Sequence, residues 1–199
     1  MPSIRKSTQH LFSQIPATNI PRSVFDRSHN VKTTFNSGYL VPFYVDEVLP
    51  GDSFKLDASL FARLATPIVP FMDNVYLETF FFFVPNRLLW DHWQAFNGEQ
   101  INPTDSTDYL VPQATATNAQ NLSLWDYMGL PTNVNSKLSV SALPFRAYFR
   151  IWNEWFRDEN LQDSDKVGIQ TNDETLDATS LLPLRRGKRH DYFTSCLPW

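Results

Sequence analysis

The stretch ETFFFFVPNRLLWDHWQAF, residues 78–96, decides the fold because an apolar run is followed by a run with helical spacing. The apolar part, FFFFV at 80–84, lies between Thr79 and Pro85 and is far shorter than the about 20 residues of a membrane-spanning helix. Over 75–84 the chain becomes apolar on both faces, which is typical of a strand between two layers or against a neighbouring chain. We therefore predict a buried strand over 75–84 and no membrane segment.

Two more strands are predicted shortly before this one. Apolar and polar residues alternate over 39–49 and again over 53–60, which is the pattern of half-buried strands. Pro42 places the first of them at a sheet edge or a bulge, because proline donates no backbone hydrogen bond. Pro50-Gly51 between the two runs fits a type II turn, in which glycine accepts the positive φ of the second central position.

Three helices are predicted after the strands. A short helix is indicated over 87–96 and another over 123–128, where Ser123 is a candidate N-cap and Gly129 a stop signal. The clearest helical pattern lies at 144–160, and its wide apolar arc is typical of a helix wedged between two partners. The sequence thus predicts an all-β scaffold with long loop insertions that carry helices.

Charge is unevenly distributed along a chain whose net charge is −4. Residues 1–36 carry five basic residues against one acidic residue, a net of +4, while the rest carries 12 basic and 20 acidic residues, a net of −8. A basic arm on an acidic body is typical of an interacting tail, and a solvated terminus is the alternative. The candidate DNA-contacting residues of this arm are Arg5, Lys6, Arg22, Arg27 and Lys32.

A second basic cluster lies near the end of the chain, in LRRGKRHDYF at 184–193. Four of the five residues from 185 to 189 are basic, and two aromatic residues follow. Positive charge combined with stacking surface is typical of single-stranded nucleic-acid binding, and a solvated basic loop is the alternative. The candidate DNA-contacting residues here are Arg185, Arg186, Lys188, Arg189, Tyr192 and Phe193.

Patterns that would indicate catalysis are weak. Glu154 and Asp158 place two carboxylates on one helix face, as in a carbohydrate-cleaving site, but three arginines share that side. His190, Asp191 and Cys196 have suggestive residue types, but a nucleophilic triad is recognised by geometry. The single cysteine excludes an internal disulfide and a zinc site of clustered cysteines, and there is no glycine-rich phosphate loop. We expect no enzyme, no cofactor and no metal.

Long segments of the chain resemble the major capsid protein family of the Microviridae, small single-stranded DNA bacteriophages, and most closely its gokushovirus branch. The resemblance runs from about residue 10 to 199 and rests on FDRSHNVKTTFNSGYLVPFYVDEVLPGDSFKL, TPIVPFMDNVYLETFFFFVPNRLLWDHW, LWDYMGLP, LPFRAYFRIWNEWFRDENLQ and GKRHDYFTSCLPW. It implies a viral jelly-roll sandwich, elaborated by long insertions, that self-assembles into a T=1 icosahedral shell. The shell would enclose circular single-stranded DNA, in a virion assembled in the cytoplasm of the host bacterium.

The chain departs from this family in length, since its members are considerably longer. A jelly roll has about eight strands, and only three strong strand patterns occur here. We therefore expect an N-terminal portion of a longer protein, with a mainly β jelly roll that is incomplete in this chain. The expected organisation is an extended basic arm over 1–38 and a partial jelly-roll domain over 39–199, with a helical and loop insertion over about 86–160.

The leading hypothesis for function is a structural capsid subunit, whose partners are other capsid subunits and packaged DNA, with no membrane. A single-stranded nucleic-acid-binding protein and a jelly-roll carbohydrate-active enzyme are the alternatives. Aromatic residues make up 15% of the chain, and such side chains dominate cores and interfaces. The candidate subunit-packing residues are Phe80, Phe81, Phe82, Phe83, Trp90, Trp93, Trp152, Trp155 and Phe156.

Overall fold

A computed structural model describes residues 21–189, 191–193 and 195–196. These residues divide into two units, one ending at Lys32 and the other beginning at Thr33. In the first unit, residues 21–32 are exposed and have no regular secondary structure. The helices and strands of the described residues all belong to the second unit.

The second unit is built from short elements joined by long irregular segments. Its sheet has the strand order β2-β1-β3, in which β1 pairs with β2 antiparallel and with β3 parallel. The small sheet and the few helices fit a mainly β fold. In chain order the elements are a 3-10 helix Asn86–Leu88, α1 Trp93–Phe96, β1 Gln113–Ala116, α2 Leu124–Tyr127, β2 Leu138–Ser141, α3 Leu143–Ile151, a π-helix Trp152–Phe156 and β3 Leu176–Asp177.

The strands predicted over 39–49, 53–60 and 75–84 are not strands in this structure. Tyr39 forms one isolated antiparallel bridge to Arg185, and the rest of the three segments has no ladder. A strand exists only where a neighbour completes its hydrogen bonds. The alternating pattern reports which way side chains point, and apart from the bridge at Tyr39 these residues form no ladder with any described segment. This is why the prediction was wrong.

The turn between the first two of these segments is confirmed. Gly51 has a φ of 85°, and the Asp52 amide donates to the Leu49 carbonyl over 3.1 Å. A positive φ at the second central residue and this hydrogen bond are the features of a type II turn. The turn forms without a ladder on either side, because Pro50 and Gly51 fix it locally.

The helix predicted over 123–128 is confirmed as α2, together with its cap. The Ser123 hydroxyl accepts from the Asp126 amide over 3.4 Å. The Asp126 carboxylate accepts from the Leu122 amide over 2.8 Å, so the return bond of the capping box falls one residue earlier than expected. The helix stops where Gly129 takes a φ of 81°.

The helix predicted over 144–160 begins as α3 and continues as the π-helix, which ends at Phe156. Phe145 and Phe149 are buried, and Phe145 stacks on Trp125 with 5.8 Å between ring centroids. This stripe joins the main core, which contains Ala114, Ala116, Ala119, Leu124, Trp125, Ala142, Phe145, Phe149 and Ala178. The burial of one face by large aromatic side chains explains why α3 is the longest described helix.

The helix predicted over 87–96 is present only in two parts, the 3-10 helix and α1, because the residues between them turn inward. Leu89 and Trp90 are buried there with Leu143 in a second, smaller core. The Trp90 indole donates to the Asp173 carboxylate over 2.5 Å, and this hydrogen bond lowers the pKa of Asp173. The interruption of the helix therefore allows Trp90 to be buried in the second core.

Arg146 links the second core to α3. Its guanidinium is 1% exposed and donates to the carbonyl oxygens of Leu89, over 3.0 Å, and Glu174, over 3.2 Å. Burial lowers the pKa of Arg146, and the nearby Asp173 opposes that shift. A buried cation requires such partners, so Arg146 fixes the positions of both carbonyl-bearing segments relative to the helix.

The Tyr148 hydroxyl joins two distant segments on the outer side of α3. It donates to the Leu40 carbonyl over 2.9 Å and accepts from the Leu184 amide over 2.8 Å. The Leu40 amide also donates to the Leu184 carbonyl, and the Arg186 amide donates to the Gly38 carbonyl. Burial raises the pKa of Tyr148 to about 12. One side chain thus holds 38–40 and 184–186 together against the helix.

We expect Tyr148→Phe to lower the free energy of unfolding by about 1–3 kcal/mol, because a half-buried amide and a half-buried carbonyl lose their shared partner. Urea unfolding of the full-length protein measures this loss. Tyr127→Phe is the matched control, since the Tyr127 hydroxyl makes one exposed bond to the Thr34 carbonyl. Equal effects from the two substitutions would contradict the role given to Tyr148.

The Tyr148 contribution also has a defined pH dependence. Its folded pKa lies above the ordinary value of 10.0, so the stabilisation is complete below about pH 10 and is lost as pH rises toward 12. The stability difference between the parent protein and Tyr148→Phe should therefore shrink over that range.

Candidate subunit and nucleic-acid interfaces

The four phenylalanines at 80–83 are exposed in this chain, so the predicted burial of FFFFV is wrong for the chain alone. Their exposed fractions are 40% for Phe80, 54% for Phe81, 42% for Phe82 and 72% for Phe83. A run that is apolar on both faces needs cover on both faces, and the described residues cover it only in part. The sequence left two kinds of cover open, a second layer or a neighbouring chain, and cover by a neighbouring chain stays a prediction.

The phenylalanine run nevertheless has the two faces of an extended strand. Phe80 and Phe82 point toward Phe156, with ring centroids 5.3 and 5.8 Å away. Phe81 points the other way and meets Phe43 edge to face at 5.8 Å. Alternate side chains of an extended chain lie on opposite faces, so the segment separates the π-helix from the region of Phe43.

The exposed segment is much longer than the phenylalanine run. Every residue from 47 to 83 is exposed, and we call this segment the apolar ribbon. Its most exposed large side chains include Phe61, Ile68 and Met72, at 93%, 103% and 96%. Large contiguous apolar surfaces are rare on monomeric proteins and mark sites of protein association.

Aromatic residues of the π-helix divide into buried and exposed members. Trp152 and Phe156 are 5% and 6% exposed, and the Trp152 indole donates to the Arg185 carbonyl over 2.7 Å. Trp155 is 66% exposed and meets Phe82 with 6.1 Å between ring centroids. Of the candidate packing residues, Trp90, Trp152 and Phe156 are therefore part of this chain's own interior, and Trp93 is half-buried.

The basic cluster at 185–189 is held close to the π-helix. The Gly187 amide donates to the Phe156 carbonyl over 2.7 Å. A Cβ atom at Gly187 would lie only 2.9 Å from the same carbonyl oxygen and 3.0 Å from the Asp158 amide, so only glycine fits this approach. Beyond the cluster, the rings of Tyr192 and Phe193 are 87% exposed and meet edge to face at 5.5 Å.

Two arginines of the cluster share one acidic partner, Glu78. Arg186 pairs with one carboxylate oxygen of Glu78 and Arg189 pairs with the other. The Arg186 guanidinium also lies 5.7 Å from the Phe80 ring and 5.8 Å from the Phe156 ring. Sequence reasoning missed Glu78 because 108 residues separate it from Arg186 and no local pattern marks the pair.

The other two cations of the cluster also have partners. Lys188 pairs with Asp191 over 2.6 Å, and the Arg185 guanidinium lies 4.9 Å above the Tyr39 ring. Four cations therefore share two carboxylates, which leaves a net of 4 − 2 = +2 for this group. The cluster is less positive than its sequence indicates.

The basic arm contributes three residues to the described structure. Arg22, Arg27 and Lys32 lie in an exposed stretch without regular structure. Arg5 and Lys6 lie outside the described residues.

Comparison with known proteins identifies the family. Residues 13–199 match the family model of the capsid protein (F protein). The chain belongs to this family. The resemblance noted in the sequence is thereby confirmed, and so is the expectation of a structural rather than an enzymatic family.

Individual relatives agree with the family assignment. The chain is 47% identical to capsid protein VP1 of Bdellovibrio phage phiMH2K over 196 residues, which cover 98% of the chain. It is 47% identical to VP1 of Chlamydia phage 1 over 220 residues, and 35% identical to VP1 of Spiroplasma virus 4 over 201 residues, which cover 100% and 95% of the chain. The match spans 36% of the length of each of these relatives.

Three of the candidate catalytic residues of this capsid-family chain, Glu154, Asp158 and Asp191, have other partners. Glu154 pairs with Arg150 over 3.2 Å, and the Asp158 carboxylate accepts from the Asn160 amide over 3.1 Å. Asp191 pairs with Lys188, Cys196 is exposed, and His190 lies outside the described residues. Within the described part of the chain, no group of three or more His, Cys, Asp or Glu side chains could hold a metal ion.

The helices of the described residues are also too short and too polar to cross a membrane.

We expect Trp152→Ala and Trp155→Ala to separate interior packing from surface packing in the full-length protein. Trp152 is buried, so its loss should lower the free energy of unfolding by about 3–5 kcal/mol. Trp155 is mostly exposed in this chain, so its loss should leave unfolding of the subunit within about 1 kcal/mol and reduce particle yield. Urea unfolding and electron microscopy of particles measure the two effects. Normal particle yield from Trp155→Ala would show that this ring faces solvent in the particle.

Proposed function

We propose that the chain forms part of a major capsid protein that self-assembles into a T=1 icosahedral shell around circular single-stranded DNA. The observation that carries the proposal is the apolar ribbon, residues 47–83, in a chain that belongs to a capsid protein family. Burial of one large apolar side chain contributes about 1.5–3 kcal/mol. Burial of the exposed apolar side chains of the ribbon in an interface would therefore contribute a large favourable free energy of association. Contacts among the described residues do not bury these side chains.

The same ribbon supports a jelly-roll fold for the complete subunit. Its phenylalanine run keeps the two-faced geometry of a strand but has no hydrogen-bonded neighbour among the described residues. We infer that strands from the rest of the subunit, or from a neighbouring subunit, pair with 39–49, 53–60 and 75–84. The expected division into an arm over 1–38 and a partial jelly roll over 39–199 belongs to this proposal, as does assembly in the host cytoplasm.

We expect the double substitution Phe61→Ser and Ile68→Ser to block assembly in the full-length protein. Both side chains are almost fully exposed in this chain, so their loss removes association energy without opening a cavity in the described cores. Electron microscopy of particles measures assembly. Ser59→Ala is the control, because it changes a small side chain on the same ribbon. Particles from the double variant in normal yield would contradict the proposal.

Contact with the packaged DNA is the second part of the proposed function. Residues outside the first 36 have a net charge of −8 and would repel a polyanion, so attraction must come from local basic elements. The cluster at 185–189 is close to two exposed aromatic rings, those of Tyr192 and Phe193. Rings of this kind stack on bases whatever their identity, which suits a genome bound without sequence selection.

We expect a variant with Arg185, Arg186, Lys188 and Arg189 changed to Ser to bind single-stranded DNA more weakly and with a flatter salt dependence. Each phosphate contact contributes about −0.7 to the slope of log affinity against log salt, so the slope changes by at most about 3 for four contacts. Binding of oligothymidylate to the full-length protein across a NaCl series measures both quantities. An unchanged slope would leave the N-terminal arm as the DNA-contacting element.

A further inference from the structure

We propose that Glu78 acts as an internal competitor for DNA, holding Arg186 and Arg189 until a phosphate displaces it. This inference rests on the proposed DNA contact of the basic cluster. It assigns that contact a resting state in which two of its four cations are occupied by the protein's own carboxylate.

The arrangement of charges is the first support. Glu78 presents one carboxylate oxygen to each guanidinium, so a single anionic group bridges two arginines. A phosphate also presents several oxygen acceptors from one centre, and arginine binds carboxylate and phosphate with the same planar set of donors. Glu78 therefore occupies the place that a DNA phosphate would take between these two side chains.

Accessibility is the second support. The side chains of Arg186 and Arg189 are 31% and 62% exposed, and that of Glu78 is 29% exposed. Solvent therefore reaches all three side chains of the two ion pairs. Arg186 also lies beside the rings of Phe80 and Phe156, contacts that do not depend on Glu78. Its guanidinium is therefore held in place for an incoming phosphate after the carboxylate leaves.

The third support is the lack of backbone hydrogen bonds between the segment that carries Glu78 and the other described residues. Residues 75–84 make no backbone hydrogen bond to any other residue that the structure describes. Movement of Glu78 consequently breaks no ladder. Glu78 shares one face of the extended segment with Phe80 and Phe82, because alternate side chains point the same way.

The experiment compares Glu78→Gln with the parent full-length protein in oligothymidylate binding across a NaCl series. Glutamine keeps the size of the side chain and removes its charge. We expect the dissociation constant to fall about two- to thirtyfold, the range for two exposed ion pairs that no longer compete. Thermal unfolding of each variant verifies that it is folded.

Two further variants make the result specific. Glu47→Gln removes the same charge from another exposed carboxylate of the ribbon and should leave binding unchanged. Adding Arg186→Ser and Arg189→Ser to Glu78→Gln should abolish the gain. If Glu78→Gln does not fold, Glu78→Asp takes its place, because a side chain one methylene shorter weakens the bridge and should tighten binding by a smaller factor.

The outcomes separate this inference from the proposal beneath it. Unchanged or weaker binding by Glu78→Gln, while the four-serine variant of the cluster loses affinity, would overturn the competitor and leave the DNA contact standing. If the four-serine variant and Glu78→Gln both bind as the parent does, the cluster does not contact DNA. The role of Glu78 as a competitor is then also contradicted. An equal gain from Glu47→Gln would show general charge repulsion instead of competition at the two arginines.

Discussion

The hydrogen bonds of one tyrosine hydroxyl, that of Tyr148, hold together the part of the structure on which both candidate interfaces depend. This hydroxyl ties Leu40 and Leu184 to α3 from positions 108 and 36 residues away in the chain. The Trp152 indole and the Phe156 carbonyl extend the same attachment along the basic cluster. Without these hydrogen bonds, neither residues 38–40 nor the basic cluster at 185–189 would have a fixed position relative to α3 and the π-helix.

Local chemistry explains which parts of the fold the sequence could predict. The α2 cap, the turn at Pro50-Gly51 and the helical pattern that became α3 each depend on residues within a few positions of one another. The strands predicted at 39–49 and 75–84 would need hydrogen-bonding neighbours, and apart from the bridge at Tyr39 the described residues form no ladder with them, so the periodicity led to a wrong assignment. The Glu78 pairs were missed for a related reason, because nothing near Glu78 in the sequence indicates two distant arginines.

The family assignment bears on why the apolar ribbon is exposed in this chain. A sequence pattern records the environment of each residue in the complete assembly, whereas the structure of one chain shows only the contacts made within it. Phe81 and Phe83 are apolar at positions where this chain offers them little cover. Under the proposed function, the rest of the subunit or a neighbouring subunit would cover these positions. Trp152 and Trp155, three residues apart, also differ strongly in burial.

The π-helix is the element that makes this difference possible. Its wider turn is closed by the Arg157 amide, which donates to the Trp152 carbonyl over 2.8 Å. Trp152 and Phe156 both enter the interior, while Trp155 projects toward Phe82. Inserted turns of this kind are often found at functional sites because they redirect side chains at a cost in regular hydrogen bonding. Here the redirected turn supports the phenylalanine run on one side and the basic cluster on the other. Under the proposed function, subunit contact and genome contact would therefore be supported by the same element of the fold.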